Sequence, residues 1–223
     1  MLILGFILKN KMDAVYQLKK EDKEKFIYTF SNAFVPNKAL LGSIEDPKRR
    51  LACYNAFFNV EFERFLINSI SIADSPECNS IILYGEKQKI DACEASIFTY
   101  FKDFLFLKLK GEITFSEIFK LKTYLDNYYN FLQSIKLDDI ENYYTIEYFA
   151  TKPEMQGKGV GSKVMRFILS KADKENKKCY LECEEKNRKL YEHYGFKVIA
   201  QTKILEDVNY YALVREPFSQ KIE

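Results

Sequence analysis

Histidine is almost absent from this sequence, with one residue in 223. Metal centres and zinc proteases that need two or three histidines therefore cannot be built within the chain. Tryptophan is missing altogether, and the 34 basic residues nearly balance the 32 acidic ones. This balance argues against a dedicated nucleic-acid-binding protein, while 47% hydrophobic residues exclude a disordered chain. We expect a folded protein with a substantial core, no bound metal and no nucleic-acid partner.

Cysteine is also scarce, since the five cysteines include no CxxC pair. Cys179 and Cys183 lie four residues apart in a predicted strand, where they would share a face. At about 3.3 Å per residue they would be about 13 Å apart, too far for one disulfide or one metal ion. We therefore expect buried free thiols in a reducing cytoplasm.

Long hydrophobic runs are lacking as well. The apolar stretch Met1–Leu8 is much shorter than the roughly 20 residues of a membrane span, and it has no basic segment or cleavage site of a signal peptide. We therefore expect a cytoplasmic protein without a membrane partner.

No repeat or flexible linker divides residues 1–223, which predicts one domain. Residues 1–11 would be an extension if Met12 is the true start.

The first two thirds of the chain combine helices with a strand pair. Asp46 and Pro47 suit the cap and first position of a helix, and Ile70–Ala73 and Ser80–Tyr84 read as paired strands. A helical insert is predicted around residues 98–140 from apolar residues spaced by three and four. Its stripe either packs in the core or lines a ligand pocket, and it comprises Ile118, Leu121, Leu125, Tyr128, Leu132 and Ile135.

The last third predicts a strand–helix–strand unit. Its parts are strand Tyr143–Thr151, a helix from near Ser162, strand Cys179–Cys183, helix Asn187–Tyr194, and a strand pair at Phe196–Thr202 and Tyr210–Arg215. Strands joined by a helix run parallel. In the first strand, simple alternation places Tyr144, Ile146, Tyr148 and Ala150 on one face, and Glu147 on the other with Thr145, Phe149 and Thr151.

A glycine-rich loop joins this first strand to its helix, as Gln156-Gly157-Lys158-Gly159-Val160-Gly161-Ser162-Lys163. It fits neither a dinucleotide fingerprint, which needs glycine at Ser162, nor a P-loop. Its backbone amides at a helix N-terminus would still suit an anion such as a pyrophosphate, with charge added by Lys158 and Lys163. A glycine turn without a ligand is the alternative.

Two segments together resemble the GNAT superfamily of acyl-CoA-dependent N-acyltransferases. The segment from Thr151 to Ser162, with Pro153 and the Gln156-Gly-x-Gly-x-Gly run, is similar to motif A of that superfamily, and Asn187-Arg-Lys-Leu-Tyr-Glu-His-Tyr-Gly-Phe196 resembles motif B. The close match covers residues 143–215. The resemblance implies an α/β fold with a mixed, mostly antiparallel sheet, a central splayed parallel strand pair and flanking helices.

The resemblance also implies roles for particular residues. Backbone groups of Phe149, Ala150 and Thr151 would hold the pantetheine arm and thioester of acetyl-CoA. The pyrophosphate would be cradled by the amides of Gln156, Gly157, Lys158, Gly159, Val160, Gly161 and Ser162. Asn187 would contact the pantetheine end of the cofactor, and the Tyr191 hydroxyl would protonate the departing thiolate.

Glu147 is the candidate general base, since it is a carboxylate on the motif A strand. The alternative is a solvated or salt-bridged glutamate without a catalytic role. We interpret His193 as a surface residue and Tyr194 as a packing residue.

The implied activity is an N-acetyltransferase for a small-molecule amine; the alternatives are a protein or peptide N-acetyltransferase and a non-catalytic acyl-CoA sensor. The chain would act as a monomer or a homodimer.

Overall fold

The computed structural model describes residues 14–37, 40–68, 70–91 and 113–218. Its helices are α1 Lys23–Phe34, α2 Pro47–Asn68, α3 Lys87–Asp91, α4 Phe115–Ser134, α5 Val160–Lys174 and α6 Glu185–His193. Its strands are β1 Tyr16–Gln17, β2 Ile70–Ala73, β3 Ser80–Glu86, β4 Tyr143–Thr151, β5 Lys178–Glu184, β6 Lys197–Leu205 and β7 Val208–Arg215. Three expectations lie outside the described residues: the extension 1–11 with the start at Met12, Cys93, and residues 98–112 of the predicted insert.

The strands of the described ranges form one seven-stranded sheet in the order β1-β2-β3-β4-β5-β7-β6. Neighbouring strands pair antiparallel with one exception, because β4 and β5 run parallel. The exception follows from the α5 crossover that connects them, since a helix between adjacent strands returns the chain in the same direction. The predicted mixed, mostly antiparallel sheet with a central parallel pair and flanking helices is confirmed.

Helices α1 and α2 cover one face of the β2–β4 part of the sheet with aromatic side chains. The predicted start of α2 is confirmed, because the Asp46 carboxylate accepts a hydrogen bond from the Lys48 N–H at 2.8 Å. Phe58, fully buried in α2, lies with its ring centroid 5.0 Å from that of Phe30 in α1 and 5.8 Å from that of Tyr148 in β4. These aromatic contacts hold the two helices against β4.

Helix α4 packs across β5, β6 and β7 on the same face of the sheet. The predicted apolar stripe faces the core, with Leu121 buried and the other members half-buried, and Tyr124 and Phe131 are buried beside it. Phe131 joins Tyr143, Tyr180, Ala212 and Val214 in one cluster. Core packing is thus confirmed for this helix. Among the helices of the described ranges, none combines the length and the apolar character needed to cross a membrane.

Helix α5 covers the opposite face of the sheet. Val164, Ile168 and Ala172 are buried as predicted, against a β5 face formed by Cys179, Leu181 and Cys183. The four cysteines within the described residues, Cys53, Cys78, Cys179 and Cys183, are all free and buried. In the same part of the chain no group of three or more His, Cys, Asp or Glu side chains is placed to hold a metal ion.

Candidate active site

The two parallel strands separate soon after they begin. Pairing between β4 and β5 ends at Thr145 and Tyr180, although β4 continues to Thr151 and β5 to Glu184. Each strand stays paired on its outer side, β4 with β3 and β5 with β7. The result is a gap in the middle of the sheet. Strand groups that face such a gap need another hydrogen-bonding partner, which an extended ligand can provide.

A β-bulge in β4 lies at the opening of this gap. Leu83 of β3 pairs with Tyr148 while the next residue, Tyr84, pairs with Ile146, so Glu147 is the extra residue on β4. The bulge reverses the alternation of side chains beyond it. The prediction that Tyr144, Ile146, Tyr148 and Ala150 share one face is therefore wrong.

The two halves of β4 instead bury opposite residue sets. Tyr144 and Ile146 pack on the α5 side, whereas Tyr148 and Ala150 pack on the side of α1 and α2. Phe149 belongs to the α5 side. Glu147 does not share that face with Phe149 as predicted, because its carboxylate reaches Arg64 of α2.

The glycine-rich loop between β4 and α5 adopts a conformation that its sequence requires. Gly157 and Gly159 have φ values of 75° and 80°, in the left-handed region that side-chain-bearing residues rarely occupy. The Gln156 side chain donates a hydrogen bond of 3.3 Å to the Thr151 carbonyl, which closes the loop back on β4. Residues 156–159 are exposed, so the loop is accessible to a ligand.

The start of α5 presents free backbone donors, as the sequence predicts. Gly159 is the N-cap and supplies no side-chain acceptor, and the first helical hydrogen bond runs from the Lys163 N–H to the Gly159 carbonyl at 3.2 Å. The amides of Val160, Gly161 and Ser162 precede that bond and point out of the helix end. Together with the helix dipole they fit the pyrophosphate of an acyl-CoA.

The two lysines of the loop are placed differently. Lys158 is exposed, with its ammonium 3.9 Å from the Met155 sulfur, so it can approach a bound anion. Lys163 turns away, and its ammonium donates to the Asp74 carbonyl at 2.7 Å. The charge expected from Lys163 is therefore used to anchor α5 to the β2–β3 turn.

Gly161 is required for the close approach of α5 to β4. A Cβ atom at this position would lie 2.9 Å from the Thr151 hydroxyl oxygen and 3.1 Å from the Phe149 ring. We expect Gly161→Ala to displace the loop and raise the KM for acetyl-CoA about tenfold, because the loop amides move away from the pyrophosphate. Steady-state kinetics with varied acetyl-CoA measures this.

The control for this prediction is Ser170→Ala, which changes a half-buried residue in a later turn of the same helix. It should leave the KM for acetyl-CoA within about twofold, as expected of a substitution without a role in binding. An unchanged KM in Gly161→Ala would show that the contact with β4 does not position the loop.

The motif-bearing part of the chain matches a family model. Residues 126–198 match the model described as acetyltransferase (GNAT) domain, and this range contains β4, the loop, α5, β5 and α6. It coincides with the splayed strands and the helix N-terminus described above. Residues 126–198 are a GNAT acetyltransferase domain. Such a domain implies an acyltransferase that binds an acyl-CoA co-substrate.

Solved structures show the same GNAT fold despite low sequence identity. The structure of a histone acetyltransferase HPA2 and related acetyltransferase from Corynebacterium glutamicum aligns with a TM-score of 0.60 and 16% identity, over 94% of this chain and 98% of that one. The C-terminal condensation domain of Ebony, in complex with beta-alanyl-dopamine, aligns with a TM-score of 0.54 and 11% identity, over 91% of this chain and 98% of that domain. A GCN5-related N-acetyltransferase from Rhodopseudomonas palustris aligns with a TM-score of 0.51 and 8% identity, over 92% of this chain and 96% of that one. No curated protein matches the chain by sequence.

Tyr191, the predicted acid of this GNAT domain, lies on α6 in the core between α5 and β5. Its side chain is 8% exposed and packs against Phe196, with ring centroids 6.0 Å apart. Burial raises the pKa of Tyr191, and nearby Cys183 and Tyr194 add to the effect. Because its pKa is raised, the hydroxyl stays protonated at neutral pH. It forms no hydrogen bond with another described residue, so it is available as a donor.

The other motif B residues surround the helix end. Asn187 is half-buried near the start of α6, and its contact with the cofactor stays a prediction. The Tyr194 hydroxyl donates to the Ser162 hydroxyl at 2.8 Å and thereby links the end of α6 to the first turn of α5. His193 is exposed, as expected of a surface residue. The Tyr194–Ser162 bond is a tertiary contact that sequence reasoning missed.

Glu147 is half-buried beside a cation that the sequence did not single out. Its carboxylate lies 3.5 Å from the Arg64 guanidinium, which also contacts Glu61 at 2.8 Å. Glu61 is fully buried, and this burial raises its pKa, although Arg64 opposes the shift. One cation thus serves two carboxylates at the mouth of the gap.

A signal for the ion pair between Glu61 and Arg64 is present in the sequence. Glu61 lies three residues after Phe58, on the apolar side of α2, so a carboxylate interrupts a stripe that packs in the core. Such a residue is buried only when it is paired. Arg64, one turn further along the helix, is the partner at the required spacing.

Proposed function

We propose that this chain transfers the acetyl group of acetyl-CoA to the primary amine of a small molecule by direct attack. The observation that carries the proposal is the gap between β4 and β5, which opens beside the free amides of α5. Tyr191 packs in the same core cluster as Leu181 and Cys183 from the open part of β5. An extended pantetheine arm fits such a gap, with its thioester next to β4. Phe149, Ala150 and Thr151 pair with β3 on their other side, which fixes the backbone groups that would bind the arm.

The proposed reaction needs few side chains. The amine nitrogen attacks the thioester carbonyl, and a backbone N–H of β4 stabilises the oxyanion. The C–N bond forms, the C–S bond breaks, and the thiolate takes the Tyr191 proton. The new amide nitrogen loses its extra proton through water to the tyrosinate, which restores the phenol. The conjugate thiol of CoA has a pKa near about 8.5, whereas burial places the pKa of Tyr191 above the ordinary phenol value of about 10. The proton therefore moves as charge develops on the departing sulfur, with the two groups held together. Glu147, directly or through water, removes the proton of an incoming ammonium group.

A thiol-release assay tests the proposed activity. Acetyl-CoA and a panel of primary amines are incubated with the protein, and free CoA is measured with a thiol reagent. Background from the protein should be low, since burial raises the pKa of Cys78 to about 11 and of Cys179 and Cys183 to about 12. Cys53 is also buried, and a Cys93→Ser protein provides the matching background for the fifth cysteine.

We expect amine-dependent thiol release and an acetylated amine of the corresponding mass. Binding of acetyl-CoA, seen as a rise in melting temperature, without thiol release from any amine would support an acyl-CoA sensor instead. Thiol release with peptides but not with small amines would favour a protein acceptor.

The role of Glu147 as general base predicts a characteristic pH dependence. We expect Glu147→Gln to lower kcat/KM for the amine about tenfold or more at pH 7, within the usual contribution of a general base. The defect should shrink as the pH approaches the pKa of the amine, because more of the acceptor then arrives unprotonated. A pH–rate profile from pH 6.5 to 10 measures this, and an equal loss at every pH would contradict the assignment.

A further inference from the structure

The turn between β2 and β3, residues 74–79, contacts the glycine-rich loop at both of its ends. Where β4 leads into the loop, the Lys152 N–H donates to the Asn79 carbonyl at 2.8 Å. Where the loop leads into α5, the Lys163 ammonium donates to the Asp74 carbonyl at 2.7 Å. The position of the loop therefore depends on the shape of this one turn.

Asp74 organises the turn with a carboxylate that is almost completely buried. The residue is 7% exposed. Its carboxylate accepts the Ser80 N–H at 2.7 Å and the Asn79 side-chain amide at 3.3 Å, and its own N–H donates to the Ser80 carbonyl at 3.0 Å. A buried carboxylate is tolerated when donors of this kind satisfy it. Asp74 thus closes the turn and also supplies the carbonyl that Lys163 reaches.

The backbone of the turn needs this support at Cys78. Its φ of 53° lies in the left-handed region, which is uncommon for residues other than glycine, asparagine and aspartate. Such a conformation persists only where the surrounding contacts enforce it. The Thr29 hydroxyl donates to the Cys78 carbonyl at 2.7 Å, and the Asp74 carboxylate binds the two residues that follow Cys78. Without the carboxylate, we expect the turn to relax.

Ser80 extends these contacts from the turn to the start of α5. Its side chain is fully buried, and its hydroxyl donates to the Ala150 carbonyl at 3.0 Å and lies 2.9 Å from the Thr151 hydroxyl. The Thr151 hydroxyl oxygen is also the atom that a Cβ on Gly161 would approach to 2.9 Å. A continuous set of contacts therefore connects the Asp74 carboxylate to Gly161, whose N–H is among the free donors of α5.

We propose that Asp74 is a positioning residue for the acyl donor, which holds the glycine-rich loop in the geometry that binds a pyrophosphate. The inference rests on the proposed function for the identity of the donor, an acyl-CoA. On charge alone, the Asp74 carboxylate would repel the pyrophosphate. Loss of the carboxylate therefore weakens CoA binding if Asp74 positions the loop, and strengthens it if Asp74 acts only through its charge. A donor without a pyrophosphate gains nothing from Asp74.

Titration calorimetry with CoA and, at millimolar concentration, with pantetheine tests this inference without turnover. Pantetheine has the thiol arm of CoA and lacks the pyrophosphate. We expect Asp74→Ala to weaken CoA binding about tenfold and to leave pantetheine binding within about twofold, since a binding site tolerates displacements of only about 0.5 Å. Asp74→Asn keeps an acceptor for the Ser80 N–H and should bind CoA within about twofold of the original protein. A thermal melt shows whether each variant is folded.

Lys163→Met gives an independent variant, because it removes the contact with the Asp74 carbonyl from the side of α5. Lys174→Met is its matched control, since it makes the same substitution at an exposed position in the last turn of the same helix. We expect Lys163→Met to weaken CoA binding about tenfold with pantetheine binding within about twofold, and Lys174→Met to leave both affinities within about twofold. This pair decides the inference even where Asp74→Ala does not fold.

Three results would overturn the positioning role. They are tighter CoA binding by Asp74→Ala, an equal loss of affinity for CoA and pantetheine, and an Asp74→Asn protein that binds CoA as weakly as Asp74→Ala.

Thiol release with the amine panel separates this inference from the proposed function. A selective loss of CoA affinity in Asp74→Ala and Lys163→Met, with no thiol release by the original protein from any amine, supports the positioning role and overturns the transferase activity. Thiol release by the original protein, with unchanged CoA affinity in both variants, supports the transferase activity and overturns the positioning role.

Discussion

Replacing Tyr191 by phenylalanine should lower kcat about 100-fold or more while changing the affinity for acetyl-CoA less than about twofold. The ring fills the same buried space against Phe196, so the fold is retained, and only the proton donor to the departing thiolate is lost. A positioned general acid contributes about 10²- to 10⁴-fold to the rate. Steady-state kinetics of thiol release and a binding titration with CoA measure the two quantities.

Tyr194→Phe is the matched control for this prediction. It removes a hydroxyl from the same helix end, but that hydroxyl is bonded to Ser162. We expect it to raise the KM for acetyl-CoA with little change in kcat, because it loosens the first turn of α5. If Tyr191→Phe and Tyr194→Phe reduce kcat equally, Tyr191 is not the acid.

The raised pKa of Tyr191 has a consequence for the pH profile. A buried tyrosine whose pKa lies above its ordinary value of about 10 keeps its proton throughout the range in which the thiolate accepts one. The profile of kcat should therefore show no decline from ionisation of this residue below about pH 10. The factor by which Tyr191→Phe lowers kcat should accordingly be the same at every pH from 7 to 9.

Arg64→Met should destabilise the protein by about 3 kcal/mol or more at pH 8. The substitution removes the Arg64 guanidinium from the fully buried Glu61 carboxylate, and removal of one partner from a buried ion pair costs about 3–5 kcal/mol. Methionine retains much of the apolar stem and so limits the loss of packing. Urea denaturation followed by circular dichroism measures the free energy of unfolding.

The destabilisation by Arg64→Met should become smaller as the pH falls to 5. Burial already raises the folded-state pKa of Glu61 above its unfolded value of about 4.3, and removal of Arg64 raises it further. A carboxyl group with a raised folded-state pKa favours the folded state below the unfolded pKa. That contribution is lost as the pH rises through the folded pKa. The cost is therefore greatest at alkaline pH.

Glu61→Gln in the Arg64→Met background is the control, since a neutral amide needs no counterion. The double variant should regain most of the stability at pH 8 and lose its pH dependence. An Arg64→Met variant that is destabilised equally at pH 5 and pH 8 would show that packing, and not charge, is the role of Arg64.

The local signals in the sequence predicted the catalytic half of the fold well. The limits of β4 are those that Pro153 and the alternating pattern predicted, and Gly195, with a φ of 88°, ends the region of α6 as expected of a glycine after a helix. The loop glycines act locally, through the φ values that they permit, so a single sequence suffices to recognise them. Their assigned partner, a pyrophosphate, remains a prediction.

The near-absence of histidine, the loop with three glycines in five residues and the order of strands and helices were determined by the sequence alone. The environment of Glu147 was decided by the tertiary structure. The bulge depends on the register with β3, and the ion pair depends on where α2 crosses β4. Neither relation has a local signal, because each joins segments far apart in the chain. The same holds for the aromatic residues of α4, whose packing against β5 and β7 is not encoded in any local pattern.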